Sequence, residues 1–220
     1  MKRTILIFVL VFIVVSCFAT NPFKKGDVVN VWSPKGLLLY DNFELNSKQI
    51  ARIPYGTTVT IVEAGLSARA IPLIFETDNP KKPFVLQSDW VKIRYNDMEG
   101  YVPAGNLSKM LCFNRTSSGF ETSENYLQRI CGKPRVGKRT GVIGKTKYTD
   151  TRKVYAGGYY TQSSQNGKCF ENTIQFPQGT SYQDAILFEQ VTLFDAKAVN
   201  DIKIFGAQIG RPTLRYYSCD

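Results

Sequence analysis

The sequence predicts a mainly β protein, in which a unit of short antiparallel strands is followed by a small α+β domain. Between Gly26 and Leu107, apolar and polar residues alternate in short pieces whose boundaries carry Gly, Pro or Asn. This pattern is typical of strands joined by tight turns. Beyond residue 115, two segments with apolar residues at helical spacing lie among further strand-like runs.

The strands of the first unit are predicted from these alternating pieces. Pro54 and Gly56 suit the turn between the third and fourth strands. A hairpin is expected around residues 96–99, between the strand that begins at Trp90 and the next one. The predicted strands span residues 28–32, 37–40, 49–53, 57–62, 90–95 and 100–102.

The pieces at residues 35–40, 49–62, 89–95 and 99–107 together resemble the bacterial SH3-like (SH3b) domain. The resemblance implies an SH3-like β-barrel over residues 26–108 and a role in binding or targeting. SH3-type domains bind extended ligands on a shelf of aromatic side chains. It also implies that the loop at Asp41 and Glu44 attracts basic ligands, although a solvated loop explains these acids equally simply. The candidate ligand-binding residues are Tyr40, Asp41, Glu44, Trp90, Tyr95, Tyr101 and Pro103. Trp90 is alternatively a core residue, because small barrels bury large side chains.

An insertion of 27 residues, 63–89, separates two strands that lie close in sequence in the SH3b family. Apolar segments flank a turn-rich stretch from Asp78 to Pro83, which predicts an inserted β-hairpin. The hairpin would either shape the ligand site as an arm or cover an edge strand and contact the second domain.

The second domain is predicted over residues 115–220, with helices near 122–131 and 181–193. Glu121 and Glu124 favour the positive end of the first helix, and Gly132 suits its C-terminal cap. Ser181 and Asp184 have the spacing of a capping box for the second.

A basic stretch over residues 132–155 joins these helices and contains a single acidic residue, Asp150. It reads as a solvated connector or edge strand, or as a patch that attracts anions.

The N-terminus predicts export. Lys2 and Arg3 precede an unbroken apolar run of 11 residues, too short to span a bilayer, so residues 1–19 read as a signal peptide. The residues that end at Cys17 resemble a bacterial lipobox, which implies that Cys17 carries the lipid anchor of a periplasmic or outer-surface lipoprotein. Cleavage after Ala19 is the alternative.

Four further cysteines suggest two disulfides in an oxidising compartment. Of the three possible pairings, Cys112–Cys131 and Cys169–Cys219 are favoured because each would close a local unit. A metal site built from all four thiolates is the rival interpretation, but no Cys-x-x-Cys spacing supports it.

The chain contains no histidine. Ser-His-Asp and Cys-His catalysis and His-rich zinc sites are therefore excluded, and no cofactor motif is present. Cleavage of the predicted signal peptide would remove Lys2 and Arg3 and lower the number of basic residues from 28 to 26, so the mature chain, with 18 acidic residues, would remain basic.

We therefore expect a non-enzymatic cell-envelope binding protein that binds a peptide, from the cell wall or from an envelope protein. It would reach the membrane through its lipid anchor and would not bind nucleic acid. The alternatives are an inhibitor or immunity-type protein that blocks a secreted enzyme, and an enzyme of unknown class in the C-terminal domain. The oligomeric state stays open.

Overall fold

The protein is described by a computed structural model over residues 23–44, 46–75, 84–193, 201–205 and 210–219. Side chains are described for residues 23–44, 46–66, 88–142, 144–192 and 210–217. The predicted signal peptide, with Cys17, lies outside this part of the chain. Within the described residues, no helix has both the length and the apolar character needed to cross a membrane.

The mainly β prediction is confirmed. Seven strands form the first sheet: β1 Val28–Val31, β2 Leu37–Tyr40, β3 Gln49–Ile53, β4 Thr58–Phe75, β5 Phe84–Tyr95, β6 Met98–Pro103 and β7 Leu107–Ser108. Their order is β3-β2-β6-β5-β4-β1-β7, and neighbours run antiparallel. Across the described residues this order is open, from β3 to β7, so the predicted closure into a barrel is not observed.

The first sheet buries one face in a single apolar core. Each strand from β1 to β7 contributes, because successive side chains of a strand point to opposite faces. Val91 and Ile93 of β5 are fully buried, while Lys92 between them lies on the outer face. The core comprises Phe23, Val29, Val31, Leu37, Leu39, Ile53, Val59, Ile61, Val91, Ile93, Val102, Ala104 and Leu107.

The insertion at 63–89 continues the β4–β5 hairpin outward. Its outer strands pair from Ile71 opposite Ser88 to Phe75 opposite Phe84. Between Ile61 and Ile71, β4 advances ten residues while β5 advances five, from Ile93 to Ser88, and the register shifts three times. Such bulges bend a strand and increase its twist.

Six strands form the second sheet: β10 Arg135–Ile143, β11 Thr146–Val154, β12 Tyr160–Asn166, β13 Cys169–Gln175, β14 Asp201–Phe205 and β15 Thr213–Cys219. The order is β10-β11-β12-β13-β15-β14. The short strands β8 Arg115–Thr116 and β9 Gly119–Phe120 pair separately. The basic stretch is thus a regular hairpin, with β10 as an edge strand.

Both helices begin where their capping residues predict, and α1 also ends at its predicted cap. In α1, Ser123–Cys131, the Thr122 side chain accepts from the Asn125 N–H, and Gly132 caps the C-terminus with φ 77°. In α2, Tyr182–Leu193, Ser181 Oγ accepts from the Asp184 N–H at 3.0 Å. Ser181 Oγ also donates to the Asp184 carboxylate at 2.8 Å. The predicted capping box is confirmed.

A second core joins the two sheets. Trp32, directly after β1, is fully buried in it and donates from Nε1 to the Met110 carbonyl at 3.1 Å. Gln183 of α2 donates to the Ala104 and Leu107 carbonyls at the end of the first sheet. The core comprises Trp32, Phe113, Tyr126, Leu127, Tyr155, Tyr159, Ile174, Phe176, Ala185, Ile186, Leu187, Phe188, Val191 and Leu214. The two predicted units are therefore interlocked.

The predicted Cys112–Cys131 disulfide is wrong, because both cysteines are free thiols. Cys112 instead donates from Sγ to the Val31 carbonyl at 3.4 Å. The pairing was predicted because the two cysteines are close in sequence, but their thiols have separate surroundings. Cys112 contacts the first sheet, and Cys131 Sγ lies against Gly157. Cys169 is disulfide-bonded, and Cys219 lies opposite it in register. The pair with Cys219 stays a prediction, since no side chain is described at that position.

Replacing Trp32 by Ala should lower the free energy of unfolding by about 3–5 kcal/mol, the usual cost of truncating a buried aromatic. Because Trp32 links the two cores, both should lose stability together. Urea unfolding followed by Trp90 fluorescence and by far-UV circular dichroism measures this. Val28→Ala, at a position 59% exposed on the same strand, is the control and should change stability by less than about 0.5 kcal/mol. Two separate transitions, with one of them unshifted, would contradict the interlocked core.

Alkylation of the unreduced protein in denaturant should modify Cys112 and Cys131 but not Cys169. Peptide mass spectrometry after iodoacetamide treatment measures this directly. A recovered peptide pair linked through Cys112 and Cys131 would contradict the free thiols.

Candidate functional site

Four of the seven candidate ligand-binding residues meet on the outer face of the first sheet. Tyr40 lies opposite Tyr101 in register, and Trp90 lies opposite Pro103. The Tyr40 and Trp90 rings meet edge to face with centroids 5.5 Å apart. The register pairs and this ring contact bring the four residues together across β2, β6 and β5.

Phe43 belongs to this surface and was missed by sequence reasoning. Its ring lies 5.6 Å from that of Tyr101, at an interplanar angle of 57°. An aromatic residue just after a strand already assigned to the shelf was the available signal. We call Tyr40, Phe43, Tyr101 and Pro103, with Trp90 beneath them, the aromatic shelf.

Trp90 supports the shelf from below. Its side chain is 3% exposed, so the ring offers little surface to a ligand. It nevertheless fixes the Tyr40 ring through their edge contact. Trp90 is therefore a buried residue, as the core interpretation expected, and a role in ligand binding stays a prediction.

Tyr95 does not belong to the shelf. It packs against the core of the first sheet, on the same face of β5 as Val91 and Ile93. Alternation along the strand explains this, because Tyr95 and Trp90 are an odd number of residues apart.

Asp41 and Glu44 lie in the exposed loop that follows Tyr40. The Asp41 N–H donates to the Lys48 carbonyl at 3.0 Å, and Ser47 Oγ donates to the Glu44 carbonyl at 2.6 Å. These bonds involve backbone atoms of the two acids and hold the loop beside Phe43. Asp41 and Glu44 are therefore exposed residues of the same loop as Phe43, a member of the aromatic shelf.

A cluster of three charges flanks the shelf on β5 and β6. Glu99 pairs with Arg94 at 2.7 Å and with Lys92 at 2.9 Å. Hydrogen bonds from Arg94 and then Lys92 hold the pKa of the Glu99 carboxyl below its usual range. The hydrogen bond that Lys92 donates to Glu99 raises the pKa of Lys92. Lys92 and Glu99 are therefore both charged at neutral pH.

The two free thiols are poor nucleophiles. Burial raises the pKa of Cys112 to about 12, and burial also raises the pKa of Cys131. Since the thiolate is the reactive form, neither cysteine is prepared for covalent chemistry at neutral pH. Among the residues with described side chains, no group of three or more potential metal ligands comes together.

Glu189 is a buried carboxyl in α2 that the sequence offered, with Asp184, as one of three candidate carboxylate pairs. Neither of its oxygens has a hydrogen-bond partner among the described residues, and the residue is 6% exposed. Loss of hydration raises its pKa to about 8. The side chain is thus mainly protonated, and therefore uncharged, at neutral pH.

A concave surface with a volume of about 480 Å³ lies on the second sheet. It is lined by Arg139, Tyr148, Asp150, Ser164, Gln165, Asn166, Cys169, Phe170, Glu171 and Tyr217. We call it the polar groove. Sequence reasoning missed it because its residues come from five strands, and the basic stretch that supplies three of them was assigned no partner strands.

The chain matches none of the family models, curated proteins or solved structures with which it was compared. The functional argument therefore rests on the two surfaces themselves. The first is the aromatic shelf, with Asp41 and Glu44 in the adjoining loop, and the second is the polar groove, with Arg139 at its edge. Both arrangements are suited to non-covalent binding.

Stability should depend on pH through Glu189. Its folded pKa of about 8 lies above its ordinary value of 4.5, so the folded state holds the proton more tightly. Stability should therefore fall as pH rises from about 4.5 to about 8 and level off above, by on the order of a few kcal/mol in total. Glu189→Gln, which cannot ionise, should remove this slope.

Urea unfolding at pH 5, 7 and 9 measures the effect as the difference between wild type and variant. Glu44→Gln, in an exposed loop, is the control for general loss of negative charge. An equal pH slope in Glu189→Gln and wild type would mean that the carboxyl is not protonated in the folded protein.

Proposed function

We propose that the protein is a non-enzymatic binding protein of the cell envelope and that the aromatic shelf binds an extended peptide. The observation that carries this proposal is the cross-strand cluster of Tyr40, Tyr101, Phe43 and Pro103 over a buried Trp90. Flat aromatic faces meet proline or alkyl groups of an extended chain, and the tyrosine hydroxyls offer hydrogen bonds.

The rigidity of the shelf favours binding. Tyr40 and Tyr101 stand on neighbouring strands, and Trp90 holds the Tyr40 ring from below. Side chains that are already fixed lose little conformational entropy when a ligand arrives. A strand-borne surface of this kind therefore binds with a lower ordering cost than a loop.

The charges around the shelf favour a basic peptide. Asp41 and Glu44 are exposed in the loop that carries Phe43, and hydrogen bonds to their backbone atoms fix this loop. Their field attracts lysine or arginine side chains and sets the direction of the bound chain. Glu99 contributes less, because Lys92 and Arg94 neutralise it.

We further propose that the first sheet is an SH3b-like barrel, that the second unit is a small α+β domain, and that the chain is exported and anchored through Cys17. The inward packing of all seven strands around one core supports the barrel. The signal-like N-terminus supports export. The ligand would then be a cell-wall stem peptide or a segment of an envelope protein.

Peptide binding can be measured by fluorescence anisotropy with two fluorescent decapeptides that share a proline-containing centre and carry lysine or glutamate at their ends. Soluble muropeptides, released enzymatically from peptidoglycan, serve as unlabelled competitors. The lysine peptide should bind, and Tyr101→Ala should weaken it by about tenfold, in line with loss of one aromatic anchor. Asp41→Asn should weaken the lysine peptide and leave the glutamate peptide unchanged.

The matched control is Tyr160→Ala, which removes a tyrosine of similar exposure from β12 of the second sheet. It should leave affinity unchanged. Equal losses from Tyr101→Ala and Tyr160→Ala, or equal affinity for the two peptides, would count against the shelf. Circular dichroism of each variant separates lost binding from lost folding.

A further inference from the structure

The polar groove is built from a row of side chains that lie directly opposite one another across the second sheet. The row runs Arg139, Asp150, Ser164, Glu171 and Tyr217, one residue each from β10, β11, β12, β13 and β15. Five strands thus place a guanidinium, two carboxylates and two hydroxyls on a single face. This face is opposite the one that packs Ile174 and Leu214 into the second core.

The basic residues of the β10–β11 hairpin are divided between the two faces by type. Arg135, Arg139 and Arg152 share the groove face, whereas Lys138, Lys147 and Lys153 lie on the reverse. Arginine recognises planar oxyanions through two parallel hydrogen bonds, which lysine cannot do. The groove face therefore presents the group that is suited to a carboxylate.

Arg139 and Asp150 have unused hydrogen-bonding capacity. They are opposite each other in register, yet neither side chain forms a hydrogen bond or ion pair with a described residue. Glu171, in contrast, pairs with Arg215 at 3.1 Å. A donor for anions and an acceptor for hydroxyls thus lie side by side, and the already paired Glu171 lies two strands beyond Asp150, on the other side of Ser164.

Two tyrosines stand toward the two sides of the groove. Tyr148 on β11 and Tyr217 on β15 are three strand spacings apart, roughly 14 Å across the strands, and are offset by two residues, roughly 7 Å, along them. The Tyr148 ring covers Gly141, where an added Cβ would come within 2.5 Å of ring atoms. A side chain at position 141 would displace this ring, so the glycine permits its placement. The span fits two or three pyranose rings, whose C–H faces stack on aromatic side chains.

We propose that the polar groove binds an acidic saccharide of two or three units, with Arg139 holding a sugar carboxylate. Asp150, Ser164 and Asn166 accept from or donate to ring hydroxyls, and Tyr148 and Tyr217 contact the C–H faces. The volume of about 480 Å³ falls within the usual range for small-molecule sites. This site is independent of the aromatic shelf and does not depend on the proposed peptide function.

The lining argues against a peptide at this position. None of its described residues is aliphatic, and most carry a hydroxyl, amide, carboxylate or guanidinium group that serves sugar hydroxyls and acids, while the aromatic rings serve the C–H faces of the sugar. A simple phosphate site is a poorer match, because Asp150 and Glu171 would face the anion. A saccharide uses these carboxylates as hydroxyl acceptors.

Isothermal titration of the full-length protein with trigalacturonate, maltotriose and inorganic phosphate tests the proposal. Trigalacturonate should bind, and neither the neutral trisaccharide nor phosphate should bind at comparable concentration. Arg139→Gln should weaken trigalacturonate by about tenfold, corresponding to one charge-assisted contact. Asp150→Asn should also weaken the binding of trigalacturonate, because an acceptor for sugar hydroxyls is lost. If the attraction were purely electrostatic, removing this negative charge would instead strengthen the binding.

Lys138→Gln is the matched control, because it removes one positive charge from the reverse face of the same strand. It should change affinity by less than about twofold. Equal weakening by Arg139→Gln and Lys138→Gln, stronger binding by Asp150→Asn, equal binding of maltotriose or of phosphate, or no binding of trigalacturonate at millimolar concentration would each overturn the proposal. Circular dichroism confirms that each variant keeps the β structure.

Discussion

The burial of Trp32 in the second core is the constraint on which the rest of the structure depends. The residue continues β1 of the first sheet, and its N–H donates to the Asn106 carbonyl at 2.9 Å, yet its ring contacts Phe113 and Tyr126 edge to face. Phe113 in turn stacks on Tyr126 at 4.2 Å and meets Phe188 of α2 at 4.9 Å. One aromatic cluster therefore fixes the first sheet against both helices.

The position of α2 follows from this cluster and explains how the second sheet divides its faces. Residues 185–189 of the helix are all buried, because the helix contacts the first sheet at its start and the second sheet along its length. Burial raises the pKa of Glu189 to about 8, and its oxygens have no hydrogen-bond partner among the described residues, so the side chain is mainly protonated at neutral pH. With one face of the second sheet covered by α2, the opposite face is left to carry the polar groove.

The sequence predicted local features well where local physical chemistry decides them. Thr122 and Ser181 cap their helices as expected, because capping hydrogen bonds join residues three apart. Alternating residues identified the strands around Trp90, and the resemblance to SH3-type domains, not the alternation, grouped Tyr40, Trp90 and Pro103. Strict alternation from Trp90 would have placed Tyr95 on the core face, whereas the surroundings of the Cys112 thiol depend on distant segments.

The amino-acid sequence by itself determined a mainly β chain, the bounds of most elements, the absence of histidine chemistry and four members of the aromatic shelf. Only the tertiary structure decided which surfaces those elements form. The polar groove required the register of five strands, since Arg139 and Tyr217 are far apart in the chain and are brought into one row by cross-strand hydrogen bonds. The interlocking of the two cores likewise depends on long-range packing of Trp32, because no local pattern records which apolar surface a side chain will meet.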